Sequence, residues 1–271
     1  METIGVVVNR DRDPDLVYGG QVRDYLTGKG FDVVLWGHEG HSHDMPVPTP
    51  RAVFWVVLGG DGTMLWAAHY AAVAEIPMIG INLGNLGFLT DVDKDHGLMA
   101  IEKVLSGKYE FEKRLMLEAE FGAGEIIPLT DRLALNEICI GTFGRLTELS
   151  IYVNEQHMDA IRADGLLIST PTGSTAYNLS AGGPILVPGG KMIVITPVCP
   201  HSLSARPWVI ASEDIVRVVT RQQTPVVIDG VPRGMLQKGE SVFIKASTHH
   251  AVILKTAPVN FYATLRKKKI L

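Results

Sequence analysis

A carboxylate set among glycines at the end of an apolar run is the first place where this chain could do chemistry. Residues 53–65 read VFWVVLGGDGTML, an apolar stretch running straight into Gly59, Gly60, Asp61, Gly62 and Thr63. A strand, a glycine-rich turn and a helix start make an anion site, because unpaired N–H groups at the helix N-terminus point at the ligand. Gly59, Gly60 and Gly62 are expected to allow positive φ and close backbone approach to a phosphate. Thr63 is expected to cap the helix or to donate its hydroxyl to a phosphate oxygen. Asp61 is the anomaly, since a carboxylate beside a phosphate is repelled unless it binds a metal or takes up a proton. The plainer alternative is a simple turn with Asp61 as a helix cap. The chain has no GxxxxGK[ST], which excludes a P-loop nucleotidase, and no GxGxxG after its first strand, which disfavours an ordinary Rossmann dehydrogenase.

Two further segments have the composition of a ligand site. NLGNLGFLTDV, residues 82–92, follows a strand and places Asn82, Gly84 and Gly87 in a tight turn where open α/β sheets bind ligands, although taken alone it reads more simply as a plain Asn/Gly turn. ADGLLISTPTGSTAYNLSAGGP, residues 163–184, packs hydroxyls and glycines at a loop-to-helix junction, suited to many hydrogen bonds with a polar ligand. In LNEICI, Asn136 and Glu137 lie between apolar strand residues, where a carboxylate is costly unless paired, so they read as site residues or, more plainly, as an exposed strand face. Asp229-Gly230 in TPVVIDGVP reads as a hairpin turn. His38, His41 and His43 fall in a Pro-rich polar stretch that reads as a solvated loop, and RKKK at 266–269 as a solvated tail.

The elements that must position these residues change character along the 271-residue chain. The first third alternates strands (TIGVVVN, FDVVLW, AVFWVVL, IPMIGIN) with helices (DLVYGGQVRDYLTGKG, TMLWAAHYAAVAE, GLMAIEKVLSG), the first helix carrying Val17, Val22 and Leu26 on one face. That alternation argues a parallel, Rossmann-like sheet. From Arg114 onward, short runs of period two predominate: LMLEAEF, RLALNEICIG, LTELSIYVN, KMIVITPV, DIVRVVT, TPVVIDG, SVFIKA and HAVILKT. These argue an antiparallel, β-sandwich-like domain, interrupted by one helix at GSTAYNLSAGG. The boundary is expected near residue 113, giving an α/β domain over 1–113 and a β-rich domain over 114–254.

The bulk composition fits a soluble globular enzyme or binding protein. It is 46% hydrophobic and 20% charged. A net charge of −4 gives no reason to expect a nucleic-acid or anionic-membrane partner. No apolar run approaches the ~18 residues of a membrane span. METIGVVVNRD reads as a strand rather than a signal peptide. Cys139 and Cys199, far apart and outside any CxxC, read as reduced structural thiols of a cytoplasmic protein.

Taken in order, GGDGT, NLGNLGFL, LNE, DGLLISTPTGSTAYNLSAGGP and PHSLSARP resemble the NAD kinases over nearly the whole chain. GGDGT alone also resembles turns of 6-phosphofructokinases and diacylglycerol-type lipid kinases, whereas the STPTGSTAYNLSAGGP run is specific. The resemblance implies transfer of the terminal phosphoryl of ATP, or in some bacterial relatives of polyphosphate, to the 2′-hydroxyl of the adenosine ribose of NAD. A divalent metal, Mg²⁺, would accompany the donor, with no protein ligands assigned to it. Asp61 would be the general base, and Gly59, Gly60, Gly62 and Thr63 would hold the phosphate donor. Gly62, Phe88, Asn136, Glu137, Asp164, Ser169, Thr172, Thr175, Ala176, Tyr177 and Ser180 would bind NAD. Of these, Asn136 and Glu137 would take adenine and ribose groups and Asp164 the nicotinamide end. Asn82, Arg114, His201 and Asp229 are further candidates. Asp229 stands in DGVP, where many relatives carry a polar residue after the glycine. The resemblance also implies a homo-oligomer, dimer or tetramer, and residues 255–271 returning to the first domain. The competing readings are a kinase of another hydroxyl (lipid or sugar phosphate) and a non-catalytic NAD-binding sensor.

Overall fold

The computed structural model describes residues 1–38, 51–84, 87–90, 92–122, 127–141, 144–258 and 260–270. Two compact units are formed, Met1–Lys113 with Ala251–Leu271, and Arg114–His250.

In the first unit, β1 (Thr3–Asn9), α1 (Val17–Gly28), β2 (Asp32–His38), β3 (Ala52–Gly59), α2 (Asp61–Val73) and β4 (Met78–Asn82) follow in order. A short β5 (Val92–Asp93) and α3 (Gly97–Leu105) complete its first pass. The strands pair in parallel in the order β2-β1-β3-β4, with β5 on β4. Val6, Val56, Leu58, Ile79 and Ile81 form the sheet's share of the core, against Val22 and Leu26 of α1 and Ile101 and Val104 of α3. Val17, expected on the buried face of α1, is instead 61% exposed at its start. The chain winds from β1 outward to β2, then returns through β3 to β4 on the other side. The carboxyl ends of β1 and β3 therefore flank the point where winding reverses, the usual ligand crevice of open α/β sheets. Asn9 and Gly59 end those strands.

The second unit is built from antiparallel strands. β6 (Glu110–Phe121) leads into α4 (Leu129–Arg132), β7 (Leu133–Ala134), β8 (Glu137–Gly141), β9 (Thr147–Val153), β10 (Gln156–Ala163) and β11 (Gly165–Ser169). After α5 (Tyr177–Ser180) come β12 (Met192–Val198), β13 (Trp208–Ala211), β14 (Val216–Thr220), β15 (Thr224–Ile228), β16 (Val231–Leu236) and β17 (Ser241–Lys255). One layer runs β13-β12-β11-β8-β15-β16, and the other β10-β9-β14 and the start of β17. Alternate residues of both layers (Ile138, Ile140, Leu166 and Ile168 from one, Leu149, Ile151, Val216 and Val218 from the other) close a common apolar core. The end of β17 pairs with β4 in the first unit, followed there by α6 (Phe261–Lys267).

Three segments differ from the sequence reading, each for a local reason. RLALNEICIG is not one strand, because Asp229 takes the N–H groups of Leu135, Asn136 and Glu137. SVFIKA and HAVILKT are one strand, β17. GSTAYNLSAGG is not a helix but a 3₁₀ turn (Gly173–Thr175) and the single turn α5. There Ser174 and Asn178 bond their side chains to loop backbone, Pro171 and Leu186 carbonyls for one and Ser174 and Pro184 carbonyls for the other. Short polar side chains that bond local backbone compete with helix in this way. His38 is buried at the end of β2, its ring stacked 4.0 Å from Trp66, rather than solvated. His41 and His43 lie outside the described residues.

Candidate active site

Asp61 is the first residue of α2, one place past the N-cap Gly60. Its carboxylate does not cap the helix. Oδ2 accepts the N–H of Phe88 at 2.8 Å, while Oδ1 accepts the N–H groups of Leu89 (3.0 Å) and Thr90 (3.2 Å) and the Thr90 hydroxyl (3.2 Å). Four donors from one turn fix the carboxyl in place, and they load the two oxygens unequally. With a single donor among the described residues, Oδ2 keeps a lone pair for a further proton. Gly87 is required by this arrangement, since a Cβ there would stand 1.8 Å from Oδ1. Behind it, buried Asn82 donates to the Thr90 hydroxyl at 2.6 Å and accepts the Gly84 N–H at 2.7 Å, so the turn after β4 is tied to the turn that holds Asp61.

The glycines act through space rather than through φ. None of Gly59, Gly60 and Gly62 has a positive φ, contrary to expectation. A Cβ on Gly59 would meet Thr63 Oγ1 at 2.3 Å, so this glycine makes room for the Thr63 side chain. Thr63 Oγ1 caps the helix start, accepting from Gly60 N–H at 3.4 Å and from Asn9 Nδ2 at 3.0 Å. At Gly60 and Gly62 a Cβ would meet no heavy atom of the described residues within 4 Å. An anion could approach the N–H groups of α2 on that side.

In the second unit candidate residues gather where β8 meets β11. Glu137 and Ser169 are register partners across the two strands. Both are buried, at 8% and 0% exposure, and both Glu137 Oε2 and Ser169 Oγ lack a hydrogen-bond partner among the described residues. Burial, and then the charge of Asp229, push the Glu137 carboxyl up to about 8, so at neutral pH it carries a proton and can donate. Asp229 stands at a hairpin turn as expected, with φ 47° followed by 82° at Gly230. It does more than turn the chain: its carboxylate gathers three consecutive N–H groups at 2.7–2.9 Å and so sets the backbone of Asn136 and Glu137. A partner more than ninety residues away left no local signal of this.

The hydroxyl-rich run divides into buried scaffold and candidate site residues. Thr170, Ser174 and Asn178 are fully buried and bonded within the second unit, Thr170 Oγ1 to the Leu135 carbonyl and Asn178 Oδ1 to the Thr196 hydroxyl. Gly173 packs so closely that a Cβ would lie 2.0 Å from the Asn136 carbonyl oxygen. Thr172 accepts from buried Arg114 at 3.3 Å, and Thr175 donates to the Thr172 carbonyl. Ala176 joins the two short turns, Tyr177 is 38% exposed, and Ser180 is exposed at the end of α5. The Tyr177 phenol is raised by burial first, then by Cys139, Cys199, Asp164 and Glu137, so it stays protonated as a donor. Asp164 accepts the Gly144 N–H at 3.2 Å. His201 is exposed, its N–H on the Arg162 carbonyl. Among the described residues no group of three or more His, Cys, Asp or Glu side chains is arranged to hold a metal. No helix among them is long and apolar enough to cross a membrane.

Comparison with known proteins matches both parts of this picture. The family model for the ATP-NAD kinase N-terminal domain matches residues 49–109, and that for the ATP-NAD kinase C-terminal domain matches residues 135–256. The NAD kinase of Caldanaerobacter subterraneus subsp. tengcongensis is 36% identical over 280 residues, covering 99% of each chain. That of Chlorobaculum tepidum is 39% identical over 275 residues, covering 97% of this chain and 95% of its own. Among solved structures, an NAD kinase from Archaeoglobus fulgidus in complex with ATP superposes with a TM-score of 0.78 at 24% identity, over 98% of this chain and 99% of that one. Yeast NADH kinase complexed with NADH gives the same score at 21% identity, over 98% and 87%. A lipid or sugar-phosphate kinase and a non-catalytic sensor find no support in these relatives.

Proposed function

The chain belongs to the NAD kinase family, and from that premise we propose how its residues divide the work of making NADP. The reaction moves the terminal phosphoryl of ATP to the 2′-hydroxyl of the adenosine ribose of NAD. The observation that carries the assignment is the unequal loading of Asp61, a carboxylate fixed by four donors with Oδ2 still able to accept a proton. As the ribose oxygen forms its bond to phosphorus, its proton passes to Oδ2, and the bond from phosphorus to the ADP oxygen breaks. Phosphoryl transfer asks mainly for positioning and charge stabilisation, so one base on a rigid turn is enough side-chain chemistry.

The helix start at Gly60 and Gly62 is suited to the donor phosphates. A divalent metal, Mg²⁺, fits as part of the donor: the described residues offer no dedicated cage, and Mg²⁺ is ordinarily held by substrate phosphates with few protein ligands. Bound there, it would offset phosphate charge beside Asp61. In the second unit Glu137, Ser169 and Tyr177 supply donors for hydroxyls and ring nitrogens of NAD, Asn136 adds its amide and Asp164 accepts from the carboxamide. Thr172, Thr175, Ala176 and Ser180 line the same pocket, with Arg114 bracing Thr172. We also propose a cytoplasmic homo-oligomer, dimer or tetramer, on the strength of the family resemblance. The test is NADP formation by purified protein from NAD, ATP and Mg²⁺, with polyphosphate replacing ATP in a parallel reaction. ATP should support turnover and chelation of the metal should stop it; no NADP with either donor would contradict the assignment.

A further inference from the structure

The three backbone donors that hold Asp61 are not anchored alike. Leu89 and Thr90 are buried, at 3% and 0% exposure, so the core of the first unit fixes their N–H groups. Phe88 is only half-buried, yet its N–H binds Oδ2, the oxygen with room for the ribose proton. Its ring packs on the carboxy-terminal helix instead. Phe261 of α6 lies 6.0 Å from it, centroid to centroid, at a 50° tilt, and Lys268 Nζ stands 5.2 Å from its centroid. The helix is itself secured, by Leu265 at 2% exposure and by Asn260, whose side chain accepts the Ala263 N–H at 3.0 Å.

We propose that α6 is a positioning element for the reaction, with Phe261 holding Phe88 so that its N–H keeps Asp61 Oδ2 aimed. Phe261 acts through Phe88, whose ring it packs against. Displacing a reacting group by a fraction of an ångström costs rate before it costs binding. The inference rests on Asp61 being the base, and the test separates the two ideas.

Phe261→Ala should lower kcat roughly tenfold, with KM for NAD and for ATP within about twofold and Tm nearly unchanged. Phe261→Tyr, which keeps the ring, should restore kcat, and Phe261→Leu should fall between. In an Asp61→Asn background, Phe261→Ala should add no further loss, because the group it aims is already gone. Wild-type kcat in a folded Phe261→Ala protein would overturn the proposal, as would a loss that multiplies with that of Asp61→Asn. If the alanine variant does not fold, the leucine variant decides, and wild-type kcat there is equally fatal. Full activity in Asp61→Asn alone would instead remove the base assignment. An inactive Asp61→Asn beside a fully active Phe261→Ala would overturn this inference and leave that assignment standing.

Discussion

Glu137 carries a proton where an ordinary glutamate has lost it, and that reverses what a glutamine at this position should do. With the carboxyl raised to about 8, the folded protein holds a proton that the unfolded chain gives up above about 4.5. Stability from this group is therefore complete below the unfolded value and is lost as pH rises toward 8. Glu137→Gln keeps a neutral donor of the same shape, so its Tm should gain on that of the parent by a few degrees between pH 5 and pH 8. KM for NAD should stay within a few-fold at pH 7 in this variant, whereas Glu137→Ala should raise it by roughly three- to tenfold through the lost hydrogen bond. Equal pH dependence of Tm in parent and glutamine variant would count against the protonated state. The sequence exposed Glu137 as a costly carboxylate within a strand, but not its facing Ser169 or the Asp229 charge, which arrive from β11 and the β15–β16 turn.

At the scale of elements, the proposed chemistry depends on two turns whose glycines are needed for different reasons. Gly87→Ala would drive a Cβ into Asp61 Oδ1, so either the carboxyl or the turn must move. kcat should drop by about 10²-fold or more, with Tm falling as well. Gly60→Ala meets no heavy atom of the described residues within 4 Å, so Tm should hold while the methyl group obstructs the donor and raises KM for ATP. Equal behaviour of the two variants would contradict the division between a carboxyl-holding turn and a phosphate-facing one. Strand, turn and helix were legible at GGDGT because apolar runs bounded by glycine are local signals. The short turns at GSTAYNLSAGG were not, because buried side chains bonding to loop backbone override the helix-like apolar spacing there. RKKK at 266–269 is exposed, as its charge suggests, and what stayed illegible was the helix α6 that leads into it and the approach of Lys268 to the Phe88 ring.

For the whole molecule, the change from alternating strands and helices to period-two strands made both layer architectures legible, because each follows from which faces must be buried. What sequence could not convey was the reversal of winding between β1 and β3, which puts Asn9 beside Thr63 at the start of α2. With proton transfer assigned to the first unit and recognition of NAD chiefly to the second, the two should come apart in one variant. Asp61→Asn retains size and one acceptor oxygen while removing the proposed base. Measured on folded protein at pH 7, its turnover should fall by ~10²–10⁴, while its Kd for NAD, read by calorimetry, stays within a few-fold of the parent. Near-parental NADP formation by this variant would contradict the assignment of Asp61 as the base.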